Sequence, residues 1–180
     1  MQSNRKGAGL TRRQFMAASA MGSAAVAVGC DGRGTADWEF LTEQQARTLT
    51  AICDQIVPAD DFPSASQAGV LTFIDRQLVR HFRRYQKTYR DGLELSDVLS
   101  RRCFGRELAG LAPSEQLDVV KAIEHEDRDF FELVRNHILD GYYGAPRHGG
   151  NRNAVSWRML GLTEPPALGR AQSGSVKGQE

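Results

Sequence analysis

Two clusters of side chains in this sequence have types and spacing that could support chemistry. His125 and Asp129 are four residues apart, so two metal ligands could share one face of a helix. Asp60 and Asp61 form an adjacent carboxylate pair that could act in general acid–base catalysis. Acids beside a proline are more often turn residues, and charges at helical spacing are more often solvated. Metal binding and catalysis are therefore the less favoured interpretations of these clusters.

The spacings that identify common catalytic and cofactor motifs are missing from the sequence. It contains no H-E-x-x-H, C-x-x-C or C-x-x-C-H, so zinc and covalently attached haem have no recognisable ligand set. Ser156 does not lie in a G-x-S-x-G elbow. Residues 144–150 follow a predicted helix and do not spell G-x-G-x-x-G. We therefore expect no catalytic, cofactor-binding or metal-binding residue in this chain.

Two of the three cysteines, Cys53 and Cys103, lie on predicted apolar helix faces. In an oxidising compartment they could form a disulfide if the fold brings them together, or they could remain two buried thiols. The sequence leaves both alternatives open.

A third candidate site is the Gly-rich segment 141–162, which follows an apolar helix and is rich in Arg, Asn and aromatic residues. Aromatic and Arg side chains are the types that anchor protein interfaces. Internal scaffolding, a partner interface and a small-molecule site all remain open for this segment. The candidate partner interface comprises Tyr142, Tyr143, Arg147, Gly149, Gly150, Asn151, Arg152 and Trp157.

Residues 1–30 predict a targeting peptide, with a basic region followed by a weakly apolar run over residues 15–28. Arg12 and Arg13 resemble the pair of the twin-arginine export motif. A membrane anchor is less favoured because the run is short for a bilayer. The peptide ends either at an A-x-A cleavage site over residues 25–27 or at a lipobox in which Cys30 becomes lipidated.

The charge of the chain gives no reason to expect nucleic-acid binding. The first 30 residues contain four of the 23 bases and no acid, which leaves 19 bases against 22 acids over residues 31–180. Nucleic-acid-binding proteins instead concentrate positive charge over the folded domain.

Hydrophobic periodicity predicts a small all-α, single-domain bundle of five or six helices. A capping box at Thr42 and Gln45 begins the first helix, and Pro58 ends it. The second helix is expected from about Ser66. Candidate core positions of the later helices include Tyr89, Leu93, Leu99, Cys103, Leu117, Val120, Ile123, Phe130 and His137.

The third predicted helix spans residues 85–104, and Gly92 and Ser96 leave room for a break within it. Pro113 is placed at the first turn of the next helix, and another follows over residues 129–142. Asn153 is expected to cap a short last helix that ends before Gly161. We divide the chain into a signal peptide (1–30), a linker (31–40), a helical domain (41–162) and a disordered tail (163–180).

Over residues 41–162 the sequence resembles the small-subunit family of gluconate 2-dehydrogenase, often called subunit 3. The most specific similarity is the Gly-Gly-Asn-Arg run at residues 149–152, followed by Trp157. Further similar segments are residues 41–43, 56–61, 68–78, 130–134, 141–143 and 157–161.

The resemblance implies a non-catalytic accessory subunit that is periplasmic or membrane-associated and is exported by the twin-arginine pathway. Its partner would be a large FAD-dependent dehydrogenase of the GMC type, acting on sugars, sugar acids or alcohols. A multihaem cytochrome c often serves as a third subunit that accepts the electrons. In such complexes the small subunit holds no cofactor, supports maturation of the flavoprotein and supplies its export signal.

Two other functions remain open from the residues alone. The chain could be a free-standing exported lipoprotein that binds a small ligand through residues 141–162. It could also be a metal-dependent enzyme that uses His125 and nearby acids.

Overall fold

The computed structural model describes residues 38–162, which form six α-helices and four 3-10 turns without a β-strand in this range. The predicted targeting peptide with Arg12, Arg13 and Cys30, and the tail from residue 163, lie outside the described residues. Within them, no helix is long and apolar enough to cross a bilayer. The helices are α1 Glu43–Ile56, α2 Val70–Leu78, α3 Gln86–Phe104, α4 Pro113–Glu126, α5 Arg128–Tyr143 and α6 Val155–Met159.

Helix α1 begins and ends where its local sequence predicts. The Gln45 backbone N–H donates to the Thr42 hydroxyl at 3.2 Å, and the Thr42 N–H donates to the Gln45 side-chain oxygen at 3.0 Å. This capping box pairs two amides that a helix start leaves free. The helix ends at Ile56, two residues before Pro58. Its apolar face packs against α2, α3, α4 and α5, so α1 lies at the centre of the bundle.

Helix α2 begins at Val70, which corrects the predicted start near Ser66. The Asp54 carboxylate accepts the Ser66 N–H at 2.9 Å and its hydroxyl at 2.7 Å, and holds this residue in a turn. Gly69 then directs the chain into the helix with a φ of 83°. The start of α2 therefore depends on a contact with α1. The periodicity of the local sequence gives no information about such a contact.

Helix α3 runs unbroken for 19 residues through Gly92 and Ser96, so no break occurs at either residue. A Cβ on Gly92 would lie 2.3 Å from the Phe130 ring, and the missing side chain lets α5 approach α3 closely. The Ser96 hydroxyl donates to the Gly92 carbonyl at 2.6 Å. Gly92 is therefore a packing site rather than a helix breaker.

The predicted core is largely confirmed, with two exceptions. Cys103 is exposed and Leu117 is 40% exposed, because both fall on the solvent side of their helices. Helix α5 begins one residue before the predicted start, where Asp127 accepts the Phe130 N–H at 3.0 Å. The largest fully buried side chains include Tyr89, Tyr142, Phe130, Leu49, Ile52, Ile74, Leu78 and Leu93.

A buried carboxylate fixes the segment that leads into the bundle. Asp75 on α2 is 3% exposed and accepts the backbone N–H groups of Glu39, Phe40 and Leu41 at 2.7, 3.0 and 2.9 Å. Buried carboxylates are retained where hydrogen bonds replace their hydration. The chain therefore joins the bundle at a defined place beside α2.

Candidate partner-binding surface

The loop between α5 and α6 lies against the start of α2. The backbone N–H of Arg152 donates to the Ala68 carbonyl at 2.8 Å. Gly149 has a φ of 104°. A Cβ built on Gly149 would lie 3.3 Å from a guanidinium nitrogen of Arg76 on α2. A side chain at this position would be strained by the backbone conformation. Gly149 therefore lets the loop turn while it stays in contact with α2.

Gly150 brings the loop into direct contact with the backbone of α5. A Cβ built on Gly150 would lie 2.1 Å from the Gly141 carbonyl oxygen. Gly141 itself faces α2, where a Cβ would lie 2.7 Å from the Phe73 ring. Two glycines thus allow α2, α5 and the loop to meet more closely than side chains would permit.

Asn151 organises the start of α6, a role that we predicted for Asn153. The Asn151 side chain is fully buried, accepts the Ser156 N–H at 2.9 Å and donates to the Gly144 carbonyl at 2.9 Å. Asn153 makes no capping hydrogen bond, and the residue before α6 is Ala154. Asn151, Asn153 and Ala154 all have left-handed conformations, with φ of 45°, 58° and 52°.

The aromatic residues of this segment divide between the core and the surface. Tyr142 is 2% exposed, and its hydroxyl donates to the Pro63 carbonyl at 2.8 Å. Tyr143 is 42% exposed. Trp157 is only partly buried, and its indole N–H donates to the Tyr143 carbonyl at 2.9 Å. The tryptophan therefore lies across the end of α5 and covers it without entering the core.

The eight residues of the predicted interface thus form a buried layer and an exposed layer. Tyr142, Gly150 and Asn151 are buried and shape the loop from within, and Gly149 is half-buried. We define the loop surface as the residues left accessible above this layer, namely Tyr143, Arg147, Arg152 and the outer part of Trp157.

The acidic residues that suggested chemistry serve local structure or face solvent. Asp60 accepts the Phe62 N–H at 2.8 Å in a turn, as expected for an acid in this loop. His125 is exposed, and its closest acidic contact is Glu126 at 3.9 Å. Among residues 38–162 no three His, Cys, Asp or Glu side chains are grouped as metal ligands.

The structure also decides between the alternatives for the cysteines. Cys53 is buried and Cys103 is exposed, and both are free thiols. The disulfide alternative is therefore wrong, and the buried-thiol alternative applies to Cys53 alone. Burial raises the pKa of the Cys53 thiol well above its ordinary value, so this group is unreactive.

A buried histidine was missed as a notable group because its sequence neighbours indicate only a core position. His137 is 5% exposed and stacks on Phe82, with ring centres 3.8 Å apart. The Tyr89 hydroxyl lies 3.1 Å from its Nδ1 atom. Burial and the nearby Arg84 guanidinium lower the pKa of His137 from 6.5 to about 4. The imidazole is therefore neutral at neutral pH.

An open polar groove of about 400 Å³ lies elsewhere, between α1 and α3. Its lining includes Gln44, Arg90, Glu94, Asp97 and Arg101, and no lining residue belongs to segment 141–162. The groove gives no specific support to ligand binding by that segment.

Fold and surface together define a helical domain that displays a preformed aromatic and basic surface on its last loop. The chain belongs to the gluconate 2-dehydrogenase subunit 3 family, whose model matches residues 43–163. Membership indicates that the chain is a subunit of a dehydrogenase complex related to gluconate 2-dehydrogenase. No curated protein and no solved structure matches the chain.

Proposed function

We propose that this chain is a non-catalytic small subunit of an FAD-dependent dehydrogenase complex that acts on a sugar, sugar acid or alcohol. The FAD would reside in a large GMC-type partner, and haem c in a cytochrome subunit where one is present. Family membership supports the assignment to such a complex. The loop surface supports a binding role for this chain within it.

The observation that carries the proposal is the construction of the loop surface. Tyr143, Arg147 and Arg152 are exposed, while the backbone that bears them is fixed by hydrogen bonds to buried groups. A surface fixed before binding loses little conformational freedom when a partner docks. Arg and aromatic side chains also contribute disproportionately to binding energy.

The N-terminal sequence supports the second half of the proposal, which concerns export. Arg12 and Arg13 precede a short apolar run, as in signals of the twin-arginine pathway. We propose that the folded flavoprotein travels with this subunit to the periplasm, and that Cys30 becomes lipidated if the lipobox is used.

Export of the partner is expected to fail when the Arg pair is replaced by Lys. The Arg12→Lys/Arg13→Lys variant retains the charge but loses two planar guanidinium groups, which ammonium groups do not replace. We expect both the subunit and the flavoprotein to remain cytoplasmic. Fractionation of the native host, with flavin fluorescence and immunoblots of each compartment, provides the measurement.

The Arg5→Lys variant is the matched control, because it changes a base outside the pair and should leave export intact. A flavoprotein that reaches the periplasm normally in the double variant would exclude the escort role. It would leave the subunit assignment to be decided by co-purification.

Loss of Arg152 is expected to weaken partner binding without unfolding the domain. Arg152 is exposed, although its guanidinium lies over Gly69. Its one loop-fixing hydrogen bond uses the backbone N–H, which alanine retains. We expect Arg152→Ala to reduce affinity for the flavoprotein at least about tenfold, as for an interface anchor. Quantitative co-purification beside thermal melting measures both effects.

Arg135→Ala is the control for this variant, since Arg135 is an exposed base on α5 outside the loop surface. If Arg152→Ala melts early and binds normally, the loop serves the fold alone. The interface would then lie on another face.

A further inference from the structure

A run of bases marks one edge of the bundle. Over residues 76–90 the sequence contains six Lys or Arg residues and no acid, and all six are exposed. Over residues 38–162 there are 16 bases and 18 acids, so the rest of this range has ten bases against 18 acids. We define the basic ridge as Arg76, Arg80, Arg83, Arg84, Lys87 and Arg90.

The ridge surrounds the point at which the preceding chain joins the bundle. Glu39, held by Asp75, has its carboxylate 4.0 Å from Arg76 and 3.9 Å from Arg80. On the other side, the Arg90 guanidinium lies 4.9 Å from the centre of the Phe40 ring. The described chain therefore begins, at residues 38–40, beside a basic surface.

Nearby acids neutralise only part of the ridge. Glu39 approaches two of its bases at the limit of an ion pair, and Asp91 pairs with Lys87. Exposed pairs of this kind are weak and remain open to competing anions. Within residues 38–162, only Glu39 and Asp91 form ion pairs with the six bases of the ridge. The ridge therefore has four more bases than paired acids.

We propose that the basic ridge binds the anionic phospholipid headgroups of a membrane surface. The apolar run at residues 15–28 and Cys30 precede Trp38 closely, and the eight residues from Cys30 to Trp38 span at most about 28 Å when extended. We call residues 1–37 the leader. If the apolar run or Cys30 of the leader contacts a membrane, this short distance holds the ridge near the bilayer. Bases near an anionic leaflet attract it, and one acyl chain alone anchors a protein only marginally.

An acidic face of a protein partner is the competing occupant of the ridge. Arg76 also lies beside Gly149 of the loop. The lipid surface is favoured because Arg80 and Arg90 lie beside residues 39–40, where the leader attaches. The proposal is independent of which protein the loop surface binds.

The test compares two triple variants of the full chain, each in a Cys30→Ala background to exclude acylation. The ridge variant is Arg80→Gln/Arg83→Gln/Lys87→Gln. The control variant is Lys121→Gln/Arg128→Gln/Arg135→Gln, which removes three exposed bases from α4 and α5. Both lose the same net charge, and each breaks one exposed i, i+4 pair, with Asp91 or Glu132.

Binding is measured by co-sedimentation with vesicles of phosphatidylcholine containing about one-third phosphatidylglycerol, and with phosphatidylcholine alone. We expect the ridge variant to lose at least about tenfold in affinity for the anionic vesicles, and the control variant less than about twofold. Added salt should weaken the parent chain and leave the ridge variant little changed.

Equal losses in the two variants would overturn the proposal, as would a ridge variant that binds anionic vesicles like the parent. A ridge variant that retains vesicle binding but loses the flavoprotein would instead assign the ridge to a protein partner. Thermal melting of both variants establishes that each is folded.

Discussion

Replacing Gly150 by alanine is expected to destabilise the domain by about 3 kcal/mol, near the upper end of overpacking effects. The added methyl would lie 2.1 Å from the Gly141 carbonyl oxygen, within the backbone of α5. A flexible side chain could rotate away from such a contact, but this carbonyl cannot. We expect the melting temperature to fall by roughly 10 °C, measured by circular dichroism with urea unfolding for the free energy.

Gly110→Ala provides the matched control for this substitution. A Cβ on Gly110 would have no heavy atom within 4 Å, so alanine should be neutral or slightly stabilising there. If Gly150→Ala melts like Gly110→Ala, the close approach between the loop and α5 is not required for stability. If Gly150→Ala melts at a lower temperature than Gly110→Ala, its partner binding should weaken as well, because the backbone beneath the loop surface is displaced.

Acid is expected to destabilise the domain through His137 over the range from pH 6.5 down to about pH 4. The unfolded chain binds a proton at the ordinary pKa of 6.5, whereas the folded state resists protonation until about 4. The unfolded state therefore binds more protons in this range, and stability is fully present above pH 6.5 and falls below it. We expect a loss of about 2 kcal/mol, which is below the value that the full shift would give at about 1.4 kcal/mol per pKa unit.

Urea unfolding across this pH range measures the loss. His137→Phe should remove the histidine contribution to the pH dependence while it preserves an aromatic ring against Phe82. If the free energy of unfolding of His137→Phe falls with decreasing pH as steeply as that of the parent, the acid sensitivity belongs to other groups.

Local chemistry was sufficient to predict most of the helices. The capping box at Thr42 and Gln45 and the proline at 113 act within one helical turn, so the sequence around them defines both helix starts. The apolar faces of α3 and α5 also follow from spacing alone, as Tyr89 and Phe130 show. The resemblance to the family was recognised mainly from the Gly-Gly-Asn-Arg run and the tryptophan that follows it, and the match of the family model confirms it.

The errors arose where a distant residue decides the local conformation. Ser66 was predicted to start a helix, but its hydrogen bonds to Asp54 hold it in a turn. Gly92 was predicted as a possible break, but it provides the space that the Phe130 ring occupies. The burial of Asp75 was likewise not foreseen, because the three backbone N–H groups that it accepts lie 34 to 36 residues earlier. None of these contacts leaves a trace in the neighbouring sequence, so periodicity and capping rules could not identify them.

The division of the predicted interface residues into a buried and an exposed layer could not be inferred from the sequence either. Tyr142 and Tyr143 are adjacent and chemically identical, yet one is 2% and the other 42% exposed. Their difference depends on the direction in which α5 faces α2 and the 58–64 turn. The candidate surface could be placed in segment 141–162 from composition, but its accessible members required the fold.

The left-handed residues of the loop make the surface a reporter of folding. Asn151, Asn153 and Ala154 adopt a conformation that costs an L-residue roughly 1–2 kcal/mol, reduced for Asn. The buried bonds of Asn151 and the contact with Ala68 offset this cost only when α2 and α5 are in place. A peptide copied from residues 141–162 would relax out of this shape, and the surface could not be transplanted onto another scaffold. If a partner binds this surface, as we propose, it would bind only correctly folded copies of the domain and would reject misfolded ones.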